Sequence, residues 1–367
     1  MTDEQYMTRA IELAWRGRFT TMPNPNVGCV IVNKGKIVGE GWHHYRGLPH
    51  AEINALRMAG DQAKGSTVYV TLEPCSHYGH MAPCCNALID AGVTRVVAAI
   101  QDPNPQVAGG GLYRLQQAGI EVKHGICIDA AERLNRGFLK RMRTGFPFIQ
   151  LKLAASIDGR TAMANGESQW ITSCAARRDV QILRAQSSAI LTSAITVLAD
   201  DPLLTVRWQE LDHTVCQYLD KHHLRQPVRM IIDTQGRITS KNRLIKQPGE
   251  TWLIRTKTYR QDWPKNVIEM VLPKCNRTVD LITLMLMLGQ CEINSVLVEA
   301  GASLSGALLS AELIDELIVY LAPKLLGSDA RSLCVLPGLE HLSDVRSLSF
   351  NNVCMIGKDL RVTLNVR

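Results

Sequence analysis

The 367-residue chain has no apolar run long enough to span a membrane. Its N-terminal residues mix acids and bases on a helical period and contain no signal-peptide core. Basic residues are scattered apart from residues 140–143, so the net charge of +7 gives little support for nucleic-acid binding. These absences predict a soluble, cytoplasmic protein that binds neither a membrane nor nucleic acid.

Two common nucleotide-binding signatures are also missing, since no strand runs into a G-x-G-x-x-G turn and there is no Walker loop. The eleven cysteines do not indicate a disulfide framework, because that pattern belongs to small secreted domains. We expect most of them to be buried, reduced thiols. Only the Pro-Cys pairs at 74–75 and 83–84 are placed for chemistry.

The first part of the sequence alternates helices and strands. An amphipathic helix is predicted over residues 3–16, with an apolar face of Tyr6, Met7, Ala10, Ile11, Leu13 and Ala14. A hairpin follows around residues 33–35, and helices and strands then alternate as far as the segment RTGFP. This order predicts a layered α/β sheet and two domains, residues 1–146 and 147–367.

The second part alternates in the same way, with strands predicted at AILTS, VRMIID, TWLIR and SVLVEAG. Three successive strands near the C-terminus predict an antiparallel edge on a mainly parallel sheet. Residues 207–226 have little periodicity and are predicted to form a surface loop.

A histidine, a glutamate and two cysteines stand where a catalytic metal centre would need them. His50 opens a predicted helix, Cys75 follows a strand, and Cys84 begins a helix, where free N–H groups favour a thiolate. A catalytic zinc ion takes three such ligands and keeps one position for water. Glu52 could move a proton from that water to departing ammonia. We therefore predict zinc on His50, Cys75 and Cys84, with Glu52 as the catalytic residue.

The alternative is a closed structural zinc site, with His77, His80 or Cys85 as the fourth ligand. The catalytic site is favoured because Glu52 would have no function beside a structural zinc ion. H-x-E followed by Pro-Cys is the zinc-deaminase pattern, although eight residues rather than two separate the cysteines here.

Three further sets of residues each allow two interpretations. Asn24 and Asn26 either face a pyrimidine or cap a turn. Arg184 and Arg207 either clamp a substrate phosphate or are solvated at the surface. The small residues 301–303, between a strand and a helix, either bind phosphate or form a plain tight turn.

Several motifs together resemble the bifunctional riboflavin-biosynthesis deaminase/reductases. NPNVGCVIV, HAE, TLEPCSHYG and APC resemble the deaminase half, and LKLAASIDGRTA, GESQWIT and TVLADDPLLTVR resemble the reductase half. The resemblance implies an α/β fold class: a cytidine-deaminase-like α/β/α domain followed by a dihydrofolate-reductase-like α/β domain. It implies hydrolytic deamination of 2,5-diamino-6-(5-phosphoribosylamino)pyrimidin-4-one, then NADPH-dependent reduction to 5-amino-6-(5-phosphoribitylamino)uracil.

The resemblance also implies roles by position. It places zinc on the predicted ligands, a phosphorylated pyrimidine as substrate, and the chain in a homodimer. The cofactor NADPH would contact Ala154, Trp170, Thr196, Asp200, Thr234, Gly301, Ala302, Ser303, Leu304, Ser305, Gly306 and Ala307. The substrate would contact Ser168, Arg184, Leu204, Arg207 and Glu299. Lys152 lies in an apolar strand, where a cation needs a partner, and pairing with Glu299 could help open the sugar ring.

The chain departs from the family pattern at two places. Where the family often reads GRTPPC, residues 79–84 read GHMAPC. The basic residue of the family motif is missing, which affects any substrate contact made by that loop. Where the family reads AGPT, residues 300–303 read AGAS, which bears on phosphate binding.

Two other functions are weighed against this one. A nucleic-acid adenosine or cytidine deaminase is disfavoured by the wide cysteine spacing and by the lack of a clustered basic, aromatic face. A non-catalytic binding protein with a structural zinc and a vestigial reductase half is the other alternative, and substitution of Glu52 distinguishes it.

Overall fold

The computed structural model of the chain describes residues 1–78, 82–105, 107–259, 261–275 and 278–366. The chain divides into two units, Met1–Gly145 and Phe146–Arg367. Within the described ranges, no helix is both long and apolar enough to cross a membrane. The departures from the family pattern at Gly79, His80 and Met81 lie outside the described residues.

The helices of the first unit are α1 (Asp3–Ala14), α2 (Ala51–Ala59), α3 (Cys84–Asp90), α4 (Gly110–Gln117) and α5 (Ile128–Thr144). Its strands are β1 (Gly28–Asn33), β2 (Lys36–Trp42), β3 (Thr67–Val70), β4 (Arg95–Ala98) and β5 (Glu121–His124).

The first unit is a sheet between two layers of helices. The strand order is β2-β1-β3-β4-β5, with β1 antiparallel to both neighbours and β3, β4 and β5 parallel. Along β1, Val30 and Val32 pack with residues of α1 and α5, whereas Cys29 and Ile31 pack with α2, α3 and α4. This alternation produces the predicted α/β/α layering.

Local interactions determine where α1 begins and ends. Thr2 caps α1 through a capping box with Gln5, and all six predicted apolar side chains are buried. The helix ends earlier than predicted, at Ala14, because the chain tightens into a 3₁₀ turn over Trp15–Gly17.

The helices of the second unit are α6 (Cys174–Gln186), α7 (Ala194–Asp200), α8 (His213–Cys216), α9 (Leu281–Gln290) and α10 (Ala302–Ser310). Its strands are β6 (Phe148–Ser156), β7 (Arg160–Ala162), β8 (Ala189–Ser193), β9 (Val228–Ile232), β10 (Thr251–Arg255), β11 (Val267–Val271), β12 (Lys274–Cys275), β13 (Thr278–Val279), β14 (Ser295–Val298), β15 (Glu316–Ala322), β16 (Arg331–Ser332), β17 (Leu348–Ile356) and β18 (Asp359–Val366).

A nine-stranded sheet of order β11-β10-β9-β8-β14-β6-β15-β18-β17 organises this unit. The strands from β11 to β15 are parallel, and β18 and β17 are antiparallel, which confirms the predicted mixed sheet. Strand β6 lies in its middle, so its apolar side chains pack on both faces. Leu151 and Leu153 pack with α9 and α10, and α6 packs with Ile318 and Tyr320 of the neighbouring β15.

Two expectations are wrong. Residues 207–226 are not a plain surface loop, because they contain α8 and bury Leu211, Val215 and Leu219. Most cysteines are not buried either: all eleven are free thiols, of which three are buried, five are partly exposed and three are exposed.

Candidate active sites

Three metal-binding side chains lie together in the first unit. Nδ1 of His50 is 3.6 Å from Sγ of Cys75 and 3.3 Å from Sγ of Cys84. The three donor atoms all lie within 4.8 Å of one another. The fold thus brings together the predicted ligands from three separate segments.

Backbone contacts place each ligand. His50 is the N-cap of α2, and Cys84 is the first residue of α3. The N–H of Cys84 donates to Sγ of Cys75 at 3.3 Å, and the N–H of Cys85 donates to the Cys75 carbonyl oxygen at 3.3 Å. Helix α2 lies close to β2 because Gly41 has no Cβ, which would stand 2.4 Å from a backbone carbonyl oxygen of α2.

The donor set fits a catalytic zinc ion, which takes one imidazole nitrogen and two thiolates in sites of the Cys₂His kind. Hydrogen bonds with the neighbouring cysteine and histidine lower the pKa of the Cys75 thiol, which favours the thiolate. The expectation that the helix start favours a thiolate at Cys84 is wrong for the metal-free chain, because the hydrogen bond with Cys75 and burial raise the pKa of Cys84. In the described part of the chain, His77 and Cys85 do not join the group of donors. His80, the third alternative for a fourth ligand, lies outside the described residues.

Glu52 lies in the first turn of α2 and is 3% exposed. Its burial raises the pKa of the carboxyl group, although the charge of His50 acts in the opposite direction. A hydrogen bond with Cys84 places Glu52 at the donor cluster. A carboxyl that holds its proton more readily than usual suits a group that accepts a proton and returns it.

The two asparagines of PNPNVG have different surroundings. Nδ2 of Asn24 is 3.2 Å from Nε2 of His43, whose ring meets that of His50 edge-on with centroids 5.4 Å apart. The N–H of Asn26 donates instead to Oδ1 of Asn135 at 2.7 Å, which ties its turn to α5. Asn24 therefore lies beside the donor cluster, whereas Asn26 has a structural task.

The predicted residues of the second unit gather at the carboxyl ends of parallel strands. Thr196 and Asp200 lie in α7, which directly follows β8, and Glu299 directly follows β14. Thr234 follows β9 at the same edge of the sheet. Sheets of this kind form their ligand sites at this edge.

Glu299 binds two cations. Nε and Nη2 of Arg184 lie 2.6 and 3.0 Å from its two carboxylate oxygens, and Nζ of Lys152 lies 3.3 Å from Oε2. The predicted pairing of Lys152 with Glu299 is therefore confirmed. Arg184 also donates to the Thr205 carbonyl oxygen at 3.0 Å, so its guanidinium is bound within the protein rather than solvated.

Asp200 and Ser168 lie beside these ion pairs. Desolvation raises the pKa of Asp200, against a hydrogen bond with Ser168 and the positive charge of Lys152. The structure thus places Lys152, Ser168 and Asp200 in one neighbourhood.

A cavity of about 290 Å³ lies at the start of α10. It is lined by Ser193, Ile195, Thr196, Gly301, Ala302, Ser303, Leu304, Arg331, Ser332 and Val335. The N–H groups of the first helical turn and the helix dipole attract phosphate. Residues 305–307 do not line the cavity, since Ser305 is fully buried and Gly306 packs against the backbone of Val335.

Two predicted substrate contacts have partners inside the protein. Arg207 forms a two-pronged ion pair with Glu210, at 2.6 and 2.8 Å. Leu204 is 3% exposed and packs against Ile190 and Leu297, so its side chain belongs to an apolar cluster.

Three predicted cofactor contacts lie apart from the cavity lining. Trp170 is 62% exposed, and the guanidinium carbon of Arg177 lies 4.4 Å from its ring centroid. The carbonyl oxygen of Thr234 accepts a hydrogen bond from Tyr259 at 2.9 Å. Ala154 packs beside α6.

Sequence reasoning missed three residues at these sites: His43 beside the donor cluster, Glu73 before Cys75, and Arg331 in the cavity. No motif marks His43 or Arg331. Glu73 stands inside TLEPC, where the cysteine alone suggested chemistry.

Comparison with known proteins identifies the family. The model of the RibD C-terminal domain matches residues 147–362, and that of the cytidine and deoxycytidylate deaminase zinc-binding region matches residues 1–100. The riboflavin biosynthesis protein RibD of Escherichia coli is 64% identical over 360 residues, which cover 98% of each chain. The chain belongs to the RibD family.

Solved RibD structures agree with this assignment. Form 2 of Acinetobacter baumannii RibD is 46% identical, with a TM-score of 0.92 over 100% of this chain and 99% of that one. A Thermotoga maritima protein named as a diaminohydroxyphosphoribosylaminopyrimidine deaminase/5-amino-6-(5-phosphoribosylamino)uracil reductase is 32% identical, with a TM-score of 0.87 over 100% and 99%. The chain is thus a bifunctional deaminase/reductase of riboflavin biosynthesis, and the predicted fold class is confirmed.

Proposed function

We propose that residues 1–146 deaminate diaminohydroxyphosphoribosylaminopyrimidine and that residues 147–367 reduce the ribose of the resulting 5-amino-6-(5-phosphoribosylamino)uracil with NADPH. The Thermotoga maritima relative is named for these two substrates. The main support for the deaminase activity is the group of His50, Cys75 and Cys84 with the buried Glu52 beside it.

In the deaminase unit, a zinc ion bound by His50, Cys75 and Cys84 supplies a Lewis acid for the activation of water. Glu52 takes the proton of the attacking water and returns it to the amino group that leaves as ammonia. Its burial supports this role, because a carboxylate shielded from solvent exchanges its proton with the reacting groups. We propose that Asn24, which contacts His43 at 3.2 Å, also donates a hydrogen bond to the pyrimidine.

In the reductase unit, NADPH supplies the hydride. Its phosphates would bind at the start of α10, where backbone N–H groups, Thr196 and Ser303 line the cavity and offer donors. Glu299 holds Lys152 through their ion pair, and Nζ of Lys152 donates a proton to the ribose oxygen as the ring opens. Arg184 orients Glu299, and Arg207 exchanges Glu210 for the substrate phosphate.

We also propose a homodimer that forms through β17, the edge strand of the large sheet. Phe350 and Met355 on this strand are 74% and 62% exposed, which is the support for the proposal. A two-fold axis would pair the strand with its copy.

Glu52→Gln tests the deaminase assignment. The variant should retain zinc but release ammonia about 10²–10⁴-fold more slowly, because the amide cannot move the proton. NADPH oxidation with the deaminated substrate should stay at the wild-type rate. Glu12→Gln, an exposed glutamate of the same unit, is the control. Undiminished ammonia release by Glu52→Gln would rule out the proposed mechanism.

A further inference from the structure

Glu73 is a buried carboxylate that the proposed chemistry does not use. It is 4% exposed and precedes the ligand Cys75 by two residues. Its Oε2 accepts the N–H groups of Asp102 and Gly109 at 3.2 and 3.0 Å. Its Oε1 accepts those of Gly111 and the next residue at 2.9 and 3.3 Å. Both oxygens are therefore bound to backbone, and the side chain is not available to a substrate.

Three of the four donors belong to the start of α4. The N-cap of this helix is Gly109, which has no side chain that could accept a hydrogen bond from the first turn. Glu73 supplies that acceptor from another segment, and its charge matches the positive end of the helix. The fourth donor, Asp102, follows β4, so Glu73 joins the end of β3 to two other segments.

The backbone around Cys75 packs against the same helix start. A Cβ on Gly111 would stand 1.9 Å from the carbonyl oxygen of Pro74, so only glycine permits this approach. On the other side, Cys75 accepts the N–H of Cys84 through its Sγ. The loop therefore lies between the starts of α3 and α4, and Glu73 is its buried link to α4.

We propose that Glu73 is a positioning residue that holds Sγ of Cys75 at the distance from His50 and Cys84 that zinc requires. The inference rests on the zinc site proposed above. Metal sites tolerate ligand displacements of only about 0.2 Å, and changes in the groups that hold a ligand commonly weaken metal binding about 10–100-fold. Glu73 thus acts on ligand geometry and metal retention, and takes no part in proton transfer.

Glu73→Gln in the full-length protein tests this role. The substitution turns one acceptor oxygen into an NH₂ group that faces backbone N–H donors. Zinc should leave to a chelator about 10–100-fold faster than from the wild type. The sulfur-to-cobalt absorption bands of the cobalt-substituted protein should shift, because they report thiolate geometry. Gly111→Ala, which displaces Pro74, should reproduce both changes.

Two measurements make the result specific. NADPH oxidation by the second unit should stay at the wild-type rate in both variants, which shows that the second unit is folded, and an unchanged far-UV circular dichroism spectrum shows the same of the first unit. Glu40→Gln removes a carboxylate that binds Arg9 at 2.6 Å in the same unit, and should leave zinc release and the cobalt spectrum unchanged. Wild-type release rates and spectra in Glu73→Gln would overturn the proposal, whatever Gly111→Ala shows. A wild-type protein that binds no zinc would overturn the proposed zinc site itself, so the two failures are distinguishable.

Discussion

Glu299 neutralises two largely buried cations in the reductase unit. Its side chain is 9% exposed and binds Arg184 at 2.6 Å and Lys152 at 3.3 Å. Burial alone would raise the pKa of Glu299, but the two cations outweigh it and lower the pKa to about 2. The carboxylate therefore stays ionised at any pH at which the protein works, and its removal leaves two poorly solvated cations without their partner.

This shift predicts an acid-sensitive contribution to stability. Because the folded pKa is about 2 and the usual value is 4.5, the stabilisation is present above pH 4.5 and is lost as the pH falls towards 2. This stabilisation amounts to about 3 kcal/mol.

Glu299→Gln should be less stable at pH 7 and should lose less stability on acidification than the wild type does. Urea unfolding between pH 7 and pH 3 measures this, and Glu312→Gln, a 74% exposed carboxylate, should follow the wild-type curve. Parallel curves for Glu299→Gln and the wild type would contradict the prediction.

The sequence predicted the contacts that neighbouring residues indicate, and it did not predict the contacts between distant segments. The pairing of Lys152 follows from a cation in an apolar strand, and the ligand set of His50 and the two cysteines follows from their positions at helix starts and after a strand. The bond between Arg184 and Glu299 joins residues 115 positions apart, and nothing local to Arg184 indicates it. The task of Glu73 was hidden for the same reason, because its partners are backbone groups of a distant helix.

The start of α10 forms one side of the cavity in the second unit. Its first turn and Arg331 line the same cavity, so a helix dipole and a cationic residue both border the space where the cofactor phosphates are proposed to bind. Arg331→Ala should raise the Kd for NADPH about tenfold, a loss of about 1.4 kcal/mol. Fluorescence titration with NADPH and with NADH measures it.

The two titrations locate the contact. Weaker binding of both cofactors places Arg331 at the pyrophosphate, and weaker binding of NADPH alone places it at the 2′-phosphate. Arg346→Ala, an arginine that pairs with Glu312 in the same unit, should bind as the wild type does. An unchanged Kd for NADPH in Arg331→Ala would show that the arginine lines the cavity without binding the cofactor.

Helices and strands with a clear periodicity of apolar residues were predictable from the sequence. Elements without that periodicity were not. Helix α1 and the antiparallel end of the large sheet follow from apolar periodicity and strand succession. Helix α7 was missed because seven residues directly after a strand give too short a period. Residues 207–226 bury three apolar side chains through long-range packing, which a local pattern does not reveal.

At the scale of the whole molecule, β17 is the exposed edge of the nine-stranded sheet. Residues 348–353 are exposed on both faces, so the helices of the unit do not cover this part of the strand. Residues 347–356 contain no charged residue and no proline, the usual devices that keep an edge strand from pairing. An apolar edge without such protection is expected to pair, and a two-fold axis pairs it with itself and closes the assembly.

Phe350→Lys tests this dimer, because a charge on the paired edge would be buried against its own copy across the axis. The wild type should have the mass of a dimer by size-exclusion chromatography with light scattering, and Phe350→Lys should have the mass of a monomer. Ile268→Lys places the same charge on β11, at the opposite edge of the sheet, where the wild-type residue is 41% exposed, and should remain dimeric. Both variants should retain ammonia release, since neither substitution lies in the deaminase unit. A monomeric wild type, or a Phe350→Lys variant that remains dimeric, would exclude pairing through this edge.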